Sequence, residues 1–240
     1  MTSSKSRSKT QSANLVSIKT STNNIAPSQQ EKLLGCWVQE DLKWLYHIME
    51  SEDNLYTVLN KRLNALKLIS KSCDFKTRKM FGYGIFHSKL IYMICVWGHC
   101  SKEILQSLQT IQNRAARIIS RNKWDVSNKE NFKHIGWLSV CQLVQYHCVL
   151  LLHQVKLNKS PEYIYSMFDW NYSHQTRQTT NSVIKPIGTP RLGLSQKSFR
   201  WQAPKFYNNL PKELTQITEM KSFKIKLKQW IAENVPFKWS

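Results

Sequence analysis

Arg114, Arg117 and Arg121 recur at intervals of three and four residues, a spacing that puts them on one side of a helix. Cations arrayed in this way neutralise successive phosphates of a nucleic-acid backbone. The competing reading is the solvated basic edge of an ordinary amphipathic helix. Lys61 and Lys67 stand on the polar side of an earlier amphipathic stretch, and Lys224 and Lys228, four apart, on the last one. Arg177 and Arg200 stand out because each sits among polar or turn residues. Trp124, Trp137, Tyr172, Trp201 and Tyr207 lie near these cations in sequence, and aromatic rings stack on bases while cations follow the phosphates. Trp137 and Trp201 fit core positions as well, since tryptophan is highly buried on average.

Other chemistry is poorly supplied. The adjacent acids Glu40 and Asp41 are the nearest approach to a carboxylate pair, and no D-D or D-x-D occurs. Metal-assisted nucleotidyl transfer needs carboxylates converging on two cations. The chain holds no G-x-S-x-G, P-loop, H-E-x-x-H or G-x-G-x-x-G, which removes the usual hydrolase, kinase and dinucleotide signatures. Cys141, His147, Cys148 and His153 crowd one apolar segment but fit no zinc-finger spacing. The six cysteines form no CxxC pair, so the reading is free thiols in a reducing compartment.

Charge points the same way as the arginines. Lys and Arg number 35 against 15 Asp and Glu, a formal charge of +20. A surplus this large, spread from end to end, favours a polyanionic partner, nucleic acid before an acidic membrane surface. The longest apolar run, residues 85–97, is interrupted by His87, Ser88 and Lys89, so no membrane span is expected. Residues 1–30 are rich in Ser, Thr and Lys without an amphipathic arginine pattern, and no secretory signal is expected.

The elements that must position these groups are mostly helices. Residues 14–18 read as a short strand, and residues 33–38 (LLGCWV) as a second with Gly35 inside it. A polar turn follows at 39–43. Leu55, Leu59, Leu63, Leu66 and Ile69 mark an amphipathic helix. Residues 75–97 read as a further helix bent near Gly82 and Gly84. Ile104, Leu108, Ile111, Ala115, Ile118 and Ile119 give the arginine-bearing helix its apolar face. Residues 124–131 read as a polar connection. Ser139 and Gln142 form a capping box for an apolar, central helix running to about Val155. Ser160 and Pro161 open a short helix. Residues 169–194 read as a loop, and two amphipathic stretches close the chain.

Eight segments in order carry a family resemblance: LLGCWVQEDLKWLYHI, LNKRLNALKLIS, FKTRKMFGYGIFHSKLIYMICVWG, LQSLQTIQNRAARII, GWLSVCQL, Thr176-Arg177-Gln178, KSFRWQAPKFYNNLP and SFKIKLKQWI. Together, from about Leu33 to Ile231, they resemble the C-terminal part of non-LTR retrotransposon reverse transcriptases of the Jockey-like type. The resemblance implies a mainly α fold: a helical thumb-like bundle, a small N-terminal β remnant of a palm domain and a helical C-terminal region. It implies that Leu34, Gly35 and Trp37 lie on a primer-grip-like hairpin. Lys61, Lys67, Arg114, Arg117, Arg121, Arg177, Arg200, Lys224 and Lys228 are the phosphate-binding candidates.

The family's aspartate-bearing palm motifs belong upstream of Leu33, yet residues 1–30 contain no Asp or Glu. The expectation is therefore a truncated RNA-directed DNA polymerase that binds nucleic acid but is inactive alone. No cofactor is expected in this chain, although the full-length family uses Mg²⁺. The expected partner is RNA or an RNA–DNA or DNA duplex, together with the missing palm and fingers, in an intracellular setting, nuclear or cytoplasmic. The expected organisation is a partly disordered polar segment (1–30), a palm-end hairpin (31–50), thumb-like helices (51–135), central helices (136–168), a loop (169–196) and basic C-terminal helices (197–240). The alternative is a non-catalytic helical adaptor, derived from a retroelement, that binds protein.

Overall fold

The computed structural model describes residues 18–19, 24–25, 28–123, 125–176, 179–189, 193 and 195–238. Apart from Ile18, the strand expected at 14–18 lies outside the described residues. So does the expected disorder before residue 28, apart from a two-residue pairing of β1 (Ile18–Lys19) with β2 (Asn24–Ile25).

β3 (Gln30–Leu33) and β4 (Cys36–Gln39) form an antiparallel hairpin, with Leu33 opposite Cys36. Gly35 is thus the turn and not the interior of a strand, a correction to the reading of residues 33–38. Leu34 and Gly35 both have positive φ, 50° and 78°, the pattern of a two-residue turn whose twist matches its strands. A π-helical turn, Tyr46–Glu50, follows.

α1 (Leu55–Ile69) starts where the Asn54 side chain accepts from the Thr57 amide, a side-chain N-cap. Leu59, Leu63 and Leu66 are buried on its inner face, each stabilising by roughly 1.5–3 kcal/mol. α2 (Phe75–Phe81) runs without a break into a π-helical stretch at Gly82–His87 and then into α3 (Ser88–Ile91). The two glycines, where a bend was expected, fall on this π-helical stretch, a common cause of helix distortion. The break falls later, at Met93 with φ of 54°, before α4 (Ile94–Trp97).

α5 (Lys102–Ser120) buries Ile104, Leu108, Ile111, Ala115 and Ile119 as the periodicity predicts. Two buried glutamines on that face reach forward. Gln109 Oε1 accepts from the Val140 amide at 2.8 Å, and Gln112 Nε2 donates to the Leu138 oxygen at 2.9 Å. α6 (Asn128–Ile135) occupies much of the stretch read as a connection, because Ser127 and Glu130 form a capping box that starts a helix there. α7 (Val140–Lys156) is capped by Ser139 and Gln142 as expected and packs against α4 and α5. α8 (Glu162–Tyr165) is a single turn.

Residues 169–176 and 179–186 are not a loop. β5 (Phe168–Thr176) and β6 (Thr179–Pro186) pair antiparallel, and the prolines and glycines that suggested a loop end or follow the second strand. Phe168 and Ile184 are buried. The Asn208 side chain bonds both the amide and the oxygen of Ile184, at 3.0 and 2.9 Å, and so docks β6 on the next helix. That helix is α9 (Phe199–Asn208); α10 (Lys212–Thr215) and α11 (Met220–Asn234) follow. α7 is the hub of this end as well, touching α8, α9 and α11. His153 ties the pieces together: it bonds Tyr207 Oη and the Ile217 oxygen, both at 2.8 Å, and stacks on Phe223 at 3.6 Å. The architecture is mainly α with small two-stranded sheets.

Candidate nucleic-acid interface

α1 and α5 pack side by side and leave a cleft of about 500 Å³ between their outer faces. Asn64 and Lys67 line it from α1; Thr110, Asn113, Arg114 and Arg117 line it from α5; Asn128, the first residue of α6, closes one end. Positions 64 and 67, and positions 110, 113, 114 and 117, follow the three-and-four spacing of one helix face. Each helix thus carries an apolar stripe inward and a mostly polar stripe toward the cleft, which Leu63 and Ile118 also line; Ile118, expected on the inward face, is half-buried there.

The cleft cations are held loosely. Arg114 Nη1 is 3.5 Å from Asn60 Oδ1, and Arg117 Nη2 is 3.4 Å from Asn128 Oδ1, both at the long limit of hydrogen bonding. Neither arginine nor Lys67 has a carboxylate partner among the described residues, where the ion pairs are Lys32–Asp53 and Lys43–Asp41. No acid lines the cleft. With a formal charge of +20 on the chain, the field there is positive and attracts anions.

Other arginines are engaged in structure. Arg62 donates to the Ile85 oxygen at 2.7 Å. Arg78, buried at 6% exposure, donates to the Ile119 and Cys73 oxygens at 2.9 and 2.7 Å. Arg121 donates to the Ser70 and Lys71 oxygens, so it clamps the end of α1 and does not share the cleft with Arg114 and Arg117. Arg200 donates to the Ile187 oxygen and fastens the turn after β6. Arg177 lies outside the described residues. Lys61 is exposed on α1, next in sequence to Asn60 but outside the cleft lining. Lys224 and Lys228 lie on α11, away from the cleft lining. Lys228 is held below the ordinary lysine value by desolvation and by the like charge of Lys79.

The hairpin residues are fixed by side chains from elsewhere. Trp37 Nε1 donates to Asp53 Oδ1 at 2.8 Å, and the ring meets Tyr46 edge-on at 5.3 Å. Hydrogen bonds from Lys32 and Trp37 pull the Asp53 carboxyl down to about 2. Tyr92 Oη donates to the Leu34 oxygen at 2.6 Å, which ties the hairpin tip to the break between α3 and α4. Leu33 and Leu34 are 60% and 76% exposed.

The remaining candidates have local roles. Asp41 pairs with Lys43 at 3.1 Å and accepts from its amide at 3.0 Å, a turn and not half of a dyad with Glu40. Trp137 is core at 6% exposure, whereas Trp201 is half-buried. Trp124 lies outside the described residues. The six thiols are unpaired, and burial pushes Cys100 up to about 12 and Cys141 to about 11. No group of three or more His, Cys, Asp and Glu among the described residues is placed to hold a metal ion. No single helix among them is long and apolar enough to cross a membrane.

The chain matches no protein-family model, no curated protein and no solved structure. Sequence reasoning missed Asn64, Thr110, Asn113 and Asn128, which line the cleft as amide and hydroxyl groups. The signal for the first three was present as a polar stripe at helical spacing on each helix.

Proposed function

We propose that the chain binds a nucleic-acid duplex, without regard to sequence, in the cleft between α1 and α5. The observation that carries this reading is the convergence of Lys67, Arg114 and Arg117 on one acid-free cleft. Their neighbours Asn64, Asn113, Asn128 and Thr110 are the side-chain types that hydrogen-bond phosphate and sugar oxygens. In the fuller form of the proposal these helices are the thumb-like part of a non-LTR retrotransposon reverse transcriptase, binding RNA–DNA, RNA or DNA duplex. On that reading the hairpin tip at Leu34 and Gly35 is primer-grip-like, and the Mg²⁺-dependent chemistry belongs to palm and fingers outside this chain. The ordered resemblance of eight segments and the basic charge support it.

A fluorescence titration of a labelled duplex tests the binding. Three phosphate contacts give a log–log salt slope of about −2.7, so affinity falls about fortyfold between 50 and 200 mM salt. An affinity that is flat over that range refutes the proposal. Magnesium-dependent nucleotide incorporation by the purified chain would refute the non-catalytic part alone.

A second reading has its own observation. The exposed Leu33 and Leu34 at the hairpin tip form an apolar projection of the kind used in protein contacts. The adaptor reading requires that pull-downs recover a protein partner, and that Leu34→Ser abolish the recovery.

A further inference from the structure

A second groove, of about 840 Å³, runs between α6, the turn that leads into α7, and α11. Its floor is apolar. Phe132 and Leu138 are buried, and Phe237 meets Phe132 edge-on at 5.0 Å. Its walls are two helix faces. Lys129, Phe132 and Lys133 lie at positions i, i+3 and i+4 of α6. Ile225, Lys228, Gln229 and Ala232 lie at i, i+3, i+4 and i+7 of α11. The opposite face of α11 is the one that enters the core, through Phe223, Leu227 and Ile231. α11 thus has a core stripe and a separate outward stripe, where Ile225 is 69% exposed.

We propose that this groove docks an acidic amphipathic helix of a partner protein, its apolar residues on the Phe132–Phe237 floor and against Ile225, and its carboxylates on Lys129, Lys133 and Lys228. Two rows at helical spacing over an apolar floor are a receptor geometry for a third helix. The charge selects an acidic one. Three lysines line the groove against one acid, Glu233. Lys79 adds a fourth cation, its Nζ 3.7 Å from where a side chain on Gly136 would begin. The desolvation of Lys228 and its repulsion by Lys79 are relieved by a carboxylate placed beside Lys228. A nucleic acid fits less well, because two of the three rings that line the groove, Phe132 and Trp137, are buried and closed to a stacking base. The Trp137 ring already packs against Phe86 at 6.1 Å, His87 at 5.0 Å and Phe132 at 6.4 Å. This proposal is independent of the duplex-binding cleft, which Lys67, Arg114 and Arg117 define.

The test uses the full chain and a fluorescein-labelled helical peptide of about 14 residues, with Leu at i, i+3, i+4 and i+7 and Glu on the flanks. Fluorescence anisotropy should show saturable binding that a scrambled peptide lacks. The exposed double substitution Lys129→Glu/Lys133→Glu should weaken it about tenfold or more. Ile225→Ser should weaken it by a smaller factor. A peptide with Lys in place of Glu should bind the double variant better than the parent chain, which rules out loss by misfolding. Arg114→Ala/Arg117→Ala should leave peptide binding unchanged while reducing duplex binding, so the two sites fail separately. Absence of saturable binding, equal binding of the scrambled peptide, or indifference to the lysine reversal would each overturn the proposal. So would loss of duplex binding, and not of peptide binding, on reversing Lys129 and Lys133, since that outcome assigns the groove to nucleic acid.

Discussion

Arg121 donates from Nη2 to the main-chain oxygen of Ser70, the residue that ends α1. The last turn of one cleft wall is thereby closed by the residue that ends the other. Arg117, one turn earlier, meets only an amide side chain at 3.4 Å. Two arginines four residues apart therefore have different jobs, one holding the helices and one free for an anion.

That difference predicts opposite outcomes for the two alanine substitutions. Arg121→Ala should lower stability by about 1.5–3 kcal/mol, the range for hydrogen bonds involving charged groups, with little change in salt slope. Arg121→Gly should lose less, since residue 121 has φ of 54° and glycine adopts that region freely. Arg117→Ala should change stability by less than about 0.5 kcal/mol and reduce the salt slope of duplex binding by about 1. Urea denaturation beside binding titrations reads both. Equal destabilisation by the two alanines would show that Arg117 is also a structural clamp.

Acid should destabilise the chain through its buried histidines. His87 and His47 are 5% and 4% exposed. Desolvation first, then the like charges of His147 and Lys228, brings His87 down to about 3. Desolvation, then Lys89, brings His47 to about 4. His47 must stay neutral to accept from the Trp37 amide at 3.4 Å. Both folded values lie below the unfolded value near 6.5, so the unfolded chain takes up protons first. Stability is present above pH 6.5 and is lost as pH falls toward 4, by about 1.4 kcal/mol per unit for each histidine. His87→Gln should make the dependence shallower in that window. An unchanged slope of denaturation midpoint against pH would exclude His87 as a source.

Two glycines should respond in opposite directions to the same substitution. A Cβ on Gly98 would sit 2.4 Å from the Ile94 oxygen and 2.7 Å from Val144 Cγ2, so Gly98→Ala should cost about 1–3 kcal/mol by overpacking. Nothing lies within 4 Å of a Cβ on Gly84. Gly84→Ala should be stabilising by up to about 1 kcal/mol, because it restricts the unfolded chain. Thermal denaturation of the two variants decides; a loss of stability in Gly84→Ala would mean that the π-helical stretch needs glycine for its backbone.

The long helices were legible because their evidence is local. α5 and α7 show their buried faces and their ends in the periodicity of Ile104 to Ile119 and in the Ser139–Gln142 box. The β5–β6 hairpin was not legible: its strands are neighbours in sequence, but they are largely polar and lack, over most of their length, the apolar alternation that marks a strand, and their anchor, Asn208 on Ile184, lies 24 residues on. α6 carried a readable signal in Ser127 and Glu130, masked by the polar composition around it. For the site, Lys67, Arg114 and Arg117 could be nominated from spacing. That α1 and α5 pack side by side, and that Arg121 and Arg200 turn to carbonyl oxygens, depends on tertiary contacts that no local pattern records.

α6 is a party wall. Asn128 at its first position faces the basic cleft, and Lys129, Phe132 and Lys133 face the other groove. The helix is eight residues long, starts at a capping box and stops at Gly136 with φ of 70°, so it is one short unit. A ligand that shifts the helix from one side changes the affinity of the opposite side by some factor. Thermodynamic reciprocity requires the second ligand to change the first by that same factor. The two surfaces therefore share a single helix, and one titration repeated at saturation of the other ligand measures whether that sharing couples them.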